Sequence, residues 1–120
     1  MRILIIDDEV HVADLLAESV KLQGHEAIVA VSGAKGLALV EEKRPDAVFL
    51  DIVMPEMDGI EVLRRIREAH RALPVIVISG RASFEQIDEA RRLGITDCIQ
   101  KPFALKHLNH ALANIQSRKP

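Results

Sequence analysis

Three short, unbroken apolar runs constrain the fold of this chain more than any other feature. They occupy residues 3–6, 47–50 and 75–78, and each is too short for a helix. Such runs are typical of strands that are covered on both faces, as in a parallel sheet. Apolar residues make up 48% of the 120 residues, which is typical of one folded domain with its own core. A buried parallel sheet is therefore expected.

Predicted helices alternate with the strands. Further strands are expected at residues 26–31 and 95–100, and apolar residues recur at helical spacing between successive strands. The first and last helices have predicted apolar faces formed by Val10, Ala13, Leu16, Ala17 and Val20, and by Leu105, Leu108, Leu112 and Ile115. Alternation over short connections predicts right-handed βαβ units. The predicted fold class is α/β, a doubly wound (βα)5 domain with a five-stranded parallel sheet.

Two capping-box patterns predict where the third and fourth helices begin. Asp58-x-x-Glu61 precedes a helix expected over about residues 59–69, and Ser83-x-x-Gln86 opens the helix that follows the fourth strand. Gly94 is the predicted end of that fourth helix.

Polar residues follow four of the predicted strands, at the point where each strand ends. Asp7 and Asp8 follow the first strand, Asp51 the third, Ser79 the fourth and Lys101 the fifth. In the flavodoxin-like strand order 2-1-3-4-5, the first and third strands are neighbours, and ligands bind at the carboxyl ends of the strands. The three aspartates would then meet at one edge of the sheet.

These residue types together favour phosphoryl chemistry. Three neighbouring carboxylates repel one another, and a divalent cation with hard oxygen ligands, such as Mg²⁺, relieves that repulsion. Lys101 and Ser79 can bind phosphoryl oxygens, and Asp51 can act as a nucleophile toward phosphorus. Each residue alone is also compatible with a turn, a helix cap or a solvated charge. The coincidence of five on one edge favours a site.

The sequence resembles the receiver domain of bacterial two-component response regulators. The resemblance depends on the motifs LIIDDE, FLDIVMPEMDG, VIVISG and IQKPF, in this order, and extends from about Arg2 to Ile115. It implies a receiver domain at residues 1–116, with residues 117–120 as a tail or the start of a linker. It also implies that Asp51 accepts a phosphoryl group from a sensor histidine kinase or a histidine phosphotransfer protein.

The same resemblance implies a magnesium site and a phosphoryl site. Asp8 and Asp51 would ligate Mg²⁺ directly, Asp7 would act mainly through water, and the backbone carbonyl of Val53 would complete the protein ligands. Ser79 and Lys101 would bind the phosphoryl oxygens. The peptide bond between Lys101 and Pro102 is a candidate for the cis form.

One position departs from the family pattern. The family commonly has an aromatic residue three positions before the lysine, whereas this chain has Cys98 there and contains no tyrosine. We hypothesise that activation is instead transmitted through residues 79–92. Cys98 is expected to be a small, buried or half-buried apolar side chain. The resemblance also implies that Val53 and Arg81, two residues beyond Asp51 and Ser79, flank the phosphoryl group. An apolar Val53 cannot orient an attacking water, and Arg81 could cover the site, so slow self-dephosphorylation is expected.

Two alternatives to a signalling switch remain at this point. A haloacid dehalogenase-like phosphatase also uses a strand-end aspartate, Mg²⁺, a hydroxyl and a lysine, but its nucleophile follows the first strand with a second aspartate two residues later. Here Asp7 is followed at that distance by Glu9. A degenerate receiver that acts only as a docking module is the second alternative. We expect no enzyme beyond self-catalysed phosphorylation and slow dephosphorylation.

Charge and composition limit the partners and the location. A net charge of −2 leaves no basic patch, so nucleic-acid binding by this domain alone is not expected. No apolar run approaches the roughly 20 residues of a membrane span, no signal peptide is recognised, and the single cysteine fits a reducing compartment. A cytoplasmic protein is expected, with a possible output domain beyond residue 120 and a possible phosphorylation-dependent dimer through the fourth helix, fifth strand and fifth helix.

Overall fold

Strands and helices alternate along the whole described part of the chain, which in this computed structural model comprises residues 1–101 and 105–117. The strands are β1 (Arg2–Ile6), β2 (Glu26–Ala30), β3 (Ala47–Leu50), β4 (Val75–Ser79) and β5 (Asp97–Gln100). The helices are α1 (Val10–Leu22), α2 (Gly33–Lys43), α3 (Gly59–Ala69), α4 (Phe84–Leu93) and α5 (Leu105–Ser117).

The five strands form one parallel sheet in the order β2-β1-β3-β4-β5. The predicted fold class and strand order are therefore confirmed. In the register of β1 and β3, Ile6 pairs with Leu50, so the residues that follow them, Asp7 and Asp51, leave the sheet side by side. In the register of β4 and β5, Ser79 pairs with Gln100, which places Ser79 near the start of the next connection.

The unbroken apolar runs are explained by a core on each face of the sheet. One core packs alternate strand residues against α2, α3 and α4, and it includes Leu4, Ile6, Val48, Leu50, Val75 and Val77. The other packs the intervening residues against α1 and α5, and it includes Ile3, Ile5, Ala47, Phe49, Ile76 and Ile78. Because both faces are buried, neither needs polar residues, and the period-two alternation of a half-exposed strand disappears.

The helix ends agree with the sequence patterns except at one residue. Ser83 and Gln86 form the predicted capping box of α4, with hydrogen bonds of 3.1 and 2.8 Å, and Gly94 ends that helix at φ 103°. Asp58 caps α3 by accepting a hydrogen bond from the Ile60 amide at 2.9 Å. The second half of the predicted box is wrong, because the Glu61 carboxylate binds two arginines on its own helix, Arg64 and Arg65.

The predicted apolar faces of the first and last helices are mostly confirmed. In α5 the side chains of Leu108, Leu112 and Ile115 are buried, while that of Leu105 lies outside the described residues. Val10 was wrongly placed in the core of α1: it is 54% exposed. It is the first residue of the helix, and the buried side of α1 begins one turn later, at Ala13.

Strand boundaries differ slightly from the predictions. β2 ends at Ala30, and the half-exposed Val31 lies outside it, while β5 begins at Asp97. Among the described residues, no helix has the length and apolar character needed to cross a membrane.

Candidate functional site

Three carboxylates meet at the carboxyl-terminal edge of the sheet, as the strand order predicted. Asp7, Asp8 and Asp51 each offer an oxygen, and these oxygens lie within 4.8 Å of one another. The peptide N–H of Asp7 donates to the Ala30 carbonyl at 3.0 Å, and that of Asp51 donates to the Ile6 carbonyl at 2.9 Å. Both residues thus continue the sheet hydrogen bonding, and the sheet itself fixes where their side chains begin.

The ammonium of Lys101 lies among these carboxylates. Its Nζ is 3.0 Å from Oδ2 of Asp7, 3.1 Å from Oε1 of Glu9 and 3.4 Å from Oδ2 of Asp51. Sequence reasoning placed Lys101 here but did not predict Glu9 as a member of the site. The available signal was its position, directly after the two aspartates at the end of β1.

The backbone around Lys101 is packed closely against the end of β4. The Lys101 amide donates to the Ser79 carbonyl at 2.7 Å. A Cβ added at Gly80 would lie 3.1 Å from Cβ of Lys101, so this glycine makes room for the lysine stem.

Burial dominates the electrostatics of Asp51, which is only 3% exposed. Removal from water raises the pKa of this carboxyl from 3.8 to about 6, and the nearby Asp7 charge adds to the effect. The Lys101 charge opposes this rise, as does the hydrogen bond that the Val53 amide donates to Oδ1 at 3.3 Å. Asp51 is therefore more basic, and a better nucleophile, than an exposed aspartate.

For Lys101 the neighbouring charges outweigh burial. Burial by itself lowers the pKa of a lysine, but the close contact with Asp7 and the charges of Asp51 and Asp7 outweigh it, so the pKa of Lys101 is raised. Lys101 therefore stays positively charged throughout the physiological range.

The donor set fits a hard divalent cation. Oδ1 of Asp8 is buried and has no hydrogen-bond partner among the described residues, which is costly unless something else binds it. Carboxylate oxygens grouped in this way are ligands that Mg²⁺ prefers. Val53 lies beside the cluster, since its amide donates a hydrogen bond to Oδ1 of Asp51. The role of its carbonyl as a metal ligand stays a prediction.

Ser79 and Cys98 connect the site to α4. The buried Ser79 hydroxyl oxygen accepts a hydrogen bond from the Ala82 amide at 2.9 Å. Ser79, Cys98 and the exposed Phe84 line a cavity of about 430 Å³ between α4 and β5. Cys98 is half-buried, as expected, and burial raises the pKa of its thiol, which disfavours the reactive thiolate.

The segment after Asp51 is held by a close backbone contact. A Cβ added at Gly59 would lie 2.4 Å from both the Asp51 carbonyl oxygen and Cα of Ile52, and the Gly59 amide donates to the Ile52 carbonyl at 2.7 Å. The sequence patterns placed residue 59 at the start of the third helix and did not predict this supporting contact. Arg81 is exposed, and the bond between Lys101 and Pro102 lies outside the described residues.

Comparison with known proteins identifies the family. The family model of the response regulator receiver domain matches the sequence over residues 3–113. The chain belongs to this family. The regulatory protein AtoC of Escherichia coli (strain K12) is 44% identical over 108 residues, which are 90% of this chain and 23% of AtoC. The response regulator MprA of Mycobacterium sp. (strain KMS) is 38% identical over 108 residues, which are 90% of this chain and 47% of MprA.

A solved receiver domain has the same fold. The receiver domain of NtrX from Brucella abortus is 35% identical, with a TM-score of 0.91, covering 98% of this chain and 99% of that one. This receiver domain thus spans about half or less of the length of the curated relatives named above. These relatives support the switch interpretation and give no support to the phosphatase alternative.

Proposed function

We propose that this receiver domain is a phosphorylation-dependent switch whose acceptor is Asp51. The observation that supports the proposal is the convergence of three carboxylates and the Lys101 ammonium at one sheet edge. Asp51 is the proposed nucleophile of the set, because it leaves the sheet directly after β3, beside Asp7, and lies 3.4 Å from the Lys101 ammonium. The proposed phosphodonor is a phosphohistidine on a sensor histidine kinase or a histidine phosphotransfer protein.

Mg²⁺ is the proposed cofactor, held by Asp7, Asp8, Asp51 and the Val53 carbonyl. When bound, the cation neutralises carboxylate charge and polarises phosphoryl oxygens. Asp8 has the clearest need for it, because its buried Oδ1 lacks a partner among the described residues. Asp7, which already accepts from the Glu9 amide and contacts Lys101, is suited to a contribution through water.

The transfer itself is an in-line displacement at phosphorus. A carboxylate oxygen of Asp51 forms the new O–P bond while the N–P bond of the phosphoimidazole breaks, and its electron pair returns to the ring nitrogen. Lys101 lies 3.4 Å from Asp51 and can bind a phosphoryl oxygen as the group arrives. Self-dephosphorylation is slow in this proposal, because the apolar Val53 side chain cannot orient an attacking water.

The proposed output depends on Ser79. The Ser79 hydroxyl accepts a hydrogen bond from the Ala82 amide and keeps its own O–H free to donate to a phosphoryl oxygen, so it would connect the phosphoryl group to the loop before α4. With Cys98 at the usual aromatic position, residues 79–92 would carry the signal. Phosphorylation adds about −1.5 to −2 charge, enough to bias such a segment between two arrangements.

Partners and boundaries are proposed from the relatives. AtoC and MprA are longer than this chain, which supports an output domain beyond residue 120, with the receiver at residues 1–116 and residues 117–120 as tail or linker. A dimer through α4, β5 and α5 remains a proposal. The single free cysteine fits a cytoplasmic location.

Chemical labelling tests the proposal. Incubation with acetyl phosphate and Mg²⁺, followed by mass spectrometry, is expected to add one phosphoryl group to the wild-type chain and to the control Asp14→Asn, and none to Asp51→Asn. Labelling of Asp51→Asn to the same extent would remove the assignment. A wild-type chain that never labels would favour the docking-module alternative. After removal of acetyl phosphate, decay within seconds would contradict the slow dephosphorylation.

A further inference from the structure

Glu9 is a charged member of the site to which the proposed function gives no role. Its Oε1 lies 3.1 Å from Nζ of Lys101. The Glu9 side chain is 48% exposed, whereas those of Asp7 and Asp51 are 2% and 3% exposed. Lys101 thus bridges a buried pair of carboxylates and one carboxylate at the solvent.

The local backbone leaves the Glu9 carboxylate free for this contact. Glu9 is the N-cap residue of α1, but its side chain makes no capping hydrogen bond. Its amide donates to Oδ1 of Asp7 at 2.9 Å, which fixes the position of the residue. The side chains that ordinarily cap a helix start are the shorter ones of Ser, Thr, Asp and Asn, and glutamate is not among them. Here it contacts Lys101 instead.

The contact between Glu9 and Lys101 matters because the ammonium group has few hydrogen-bond donors. An ammonium group has three N–H donors, and in the resting protein Lys101 donates to Glu9 and Asp51 and forms an ion pair with Asp7 at 3.0 Å. A phosphoryl oxygen on Asp51 needs at least one donor from Lys101. Of the two other contacts, the one to the buried Asp7 is costly to break, because it would leave a desolvated charge, whereas water can solvate Glu9.

We propose that Glu9 is a positioning residue that holds Lys101 in the unphosphorylated protein and releases it to the phosphoryl group. The inference depends on the proposed function, since it assigns the exchange partner of the same lysine. Glu9 would thereby oppose the phosphorylated arrangement and set how readily the switch is turned on. Weakening the contact should favour the phosphorylated arrangement.

Two substitutions of Glu9 distinguish the effect of its contact with Lys101 from the effect of its negative charge. Glu9→Gln keeps the length of the side chain and removes its charge, while Glu9→Asp keeps the charge and shortens the reach. With saturating Mg²⁺, both variants are expected to bind beryllofluoride, a mimic of aspartyl phosphate, about two- to fivefold more tightly than wild type, the range for a half-exposed ion pair. Glu68→Gln, an exposed glutamate near the opposite end of α3, is the charge-matched control and should not change binding.

A double-mutant cycle shows whether Glu9 acts through Lys101. In a Lys101→Ala background, Glu9→Gln should no longer affect beryllofluoride binding. An equal gain in that background, or no gain with intact Lys101, would overturn the inference. Where Lys101→Ala abolishes binding, the ¹⁵N ammonium signal of Lys101 in the resting protein decides: its exchange with water should be faster in Glu9→Gln, and an unchanged rate overturns the inference.

The two proposals fail in different ways. A wild-type chain that neither labels at Asp51 nor binds beryllofluoride would remove the proposed function, and the role of Glu9 with it. A wild-type chain that does both, with a Glu9→Gln variant indistinguishable from it, would remove only the role of Glu9.

Discussion

At the scale of single residues, the site holds Asp51, the proposed nucleophile, in an environment that disfavours its negative charge. Asp51 is buried beside Asp7, and only Lys101 and the Val53 amide oppose the resulting rise in pKa. This arrangement costs stability in the absence of a cation, and it makes the carboxylate reactive. Function and folding therefore make opposite demands on this residue, as is common where catalytic pKa values are perturbed.

Replacement of Asp51 by Asn should therefore stabilise the metal-free protein. Because the folded pKa of about 6 lies above the ordinary 3.8, the folded chain binds the proton more tightly, and the contribution of Asp51 to stability falls as pH rises through that window. At pH 8 the gain should be at most about 3 kcal/mol, the linkage value of a rise from 3.8 to about 6, in which the attraction of Lys101 is already included. Urea unfolding in EDTA measures it.

The pH dependence and the metal dependence of that gain provide its controls. The difference between Asp51→Asn and wild type should shrink toward pH 4, where the side chain at position 51 is neutral in both folded proteins. It should also shrink with excess Mg²⁺, which stabilises the wild-type site more than a site that has lost one carboxylate. Asp14→Asn, a change at an exposed position, should show neither trend. A variant less stable than wild type at pH 8 without metal would contradict the argument.

The sequence alone predicted those site residues whose positions are determined by the sheet. Asp7, Asp51 and Ser79 lie at strand ends, so strand order and register determine where they meet. Glu9 could not be predicted in the same way, because its contact with Lys101 joins two connecting segments that share no hydrogen-bonding register. The reach of a long side chain across a loop is not encoded in sequence spacing.

At the scale of elements, the segment between β3 and α3 depends on one glycine for space. A Cβ at Gly59 would lie 2.4 Å from the Asp51 carbonyl oxygen, which is rigid backbone. Gly24 differs: it has φ +87° and no atom within 4 Å of an added Cβ, so its requirement is conformational. The sequence alone does not distinguish the two causes, because both are glycines next to a helix end.

Alanine substitutions at these glycines should therefore have different effects. Gly59→Ala should lower the free energy of unfolding by about 2 to 3 kcal/mol through overpacking, and should also slow labelling of Asp51, whose carbonyl must move. Gly24→Ala should cost about 1 kcal/mol, the penalty of a left-handed backbone, and leave labelling unchanged. Urea unfolding and the acetyl phosphate assay measure both effects. Equal labelling rates in the two variants would show that the Gly59 contact does not support the site.

Competing side chains limited how well the sequence predicted the hydrogen bonds at the helix starts. The patterns at Ser83 and Asp58 are alike, yet only the first forms a complete capping box. Glu61 has two arginines one turn further along α3, and Arg64 also binds Glu89 of α4 at 3.0 Å. A pattern that counts only the two box positions cannot include such competing partners.

At the scale of the whole molecule, α4 is attached less firmly than α1 and α3. Ala90 is its one residue that is fully buried, whereas five residues are buried in each of the other two helices. Its link to α3 through Arg64 and Glu89 is half-exposed and therefore weak. Elements with few buried contacts open most easily, and those that move in switches are drawn from them.

Hydrogen exchange should therefore show the response to phosphorylation in residues 79–92. In the resting protein, amides of α4 should exchange faster than those of α1, and beryllofluoride with Mg²⁺ should change protection between residues 79 and 92 while leaving α1 unaffected. Ser79→Ala should reduce that change, because its side chain no longer accepts from the Ala82 amide and cannot donate to the phosphoryl mimic. Glu68→Gln is the control. Unchanged protection of residues 79–92 in a wild-type chain that binds the mimic would show that the signal leaves the site by another path.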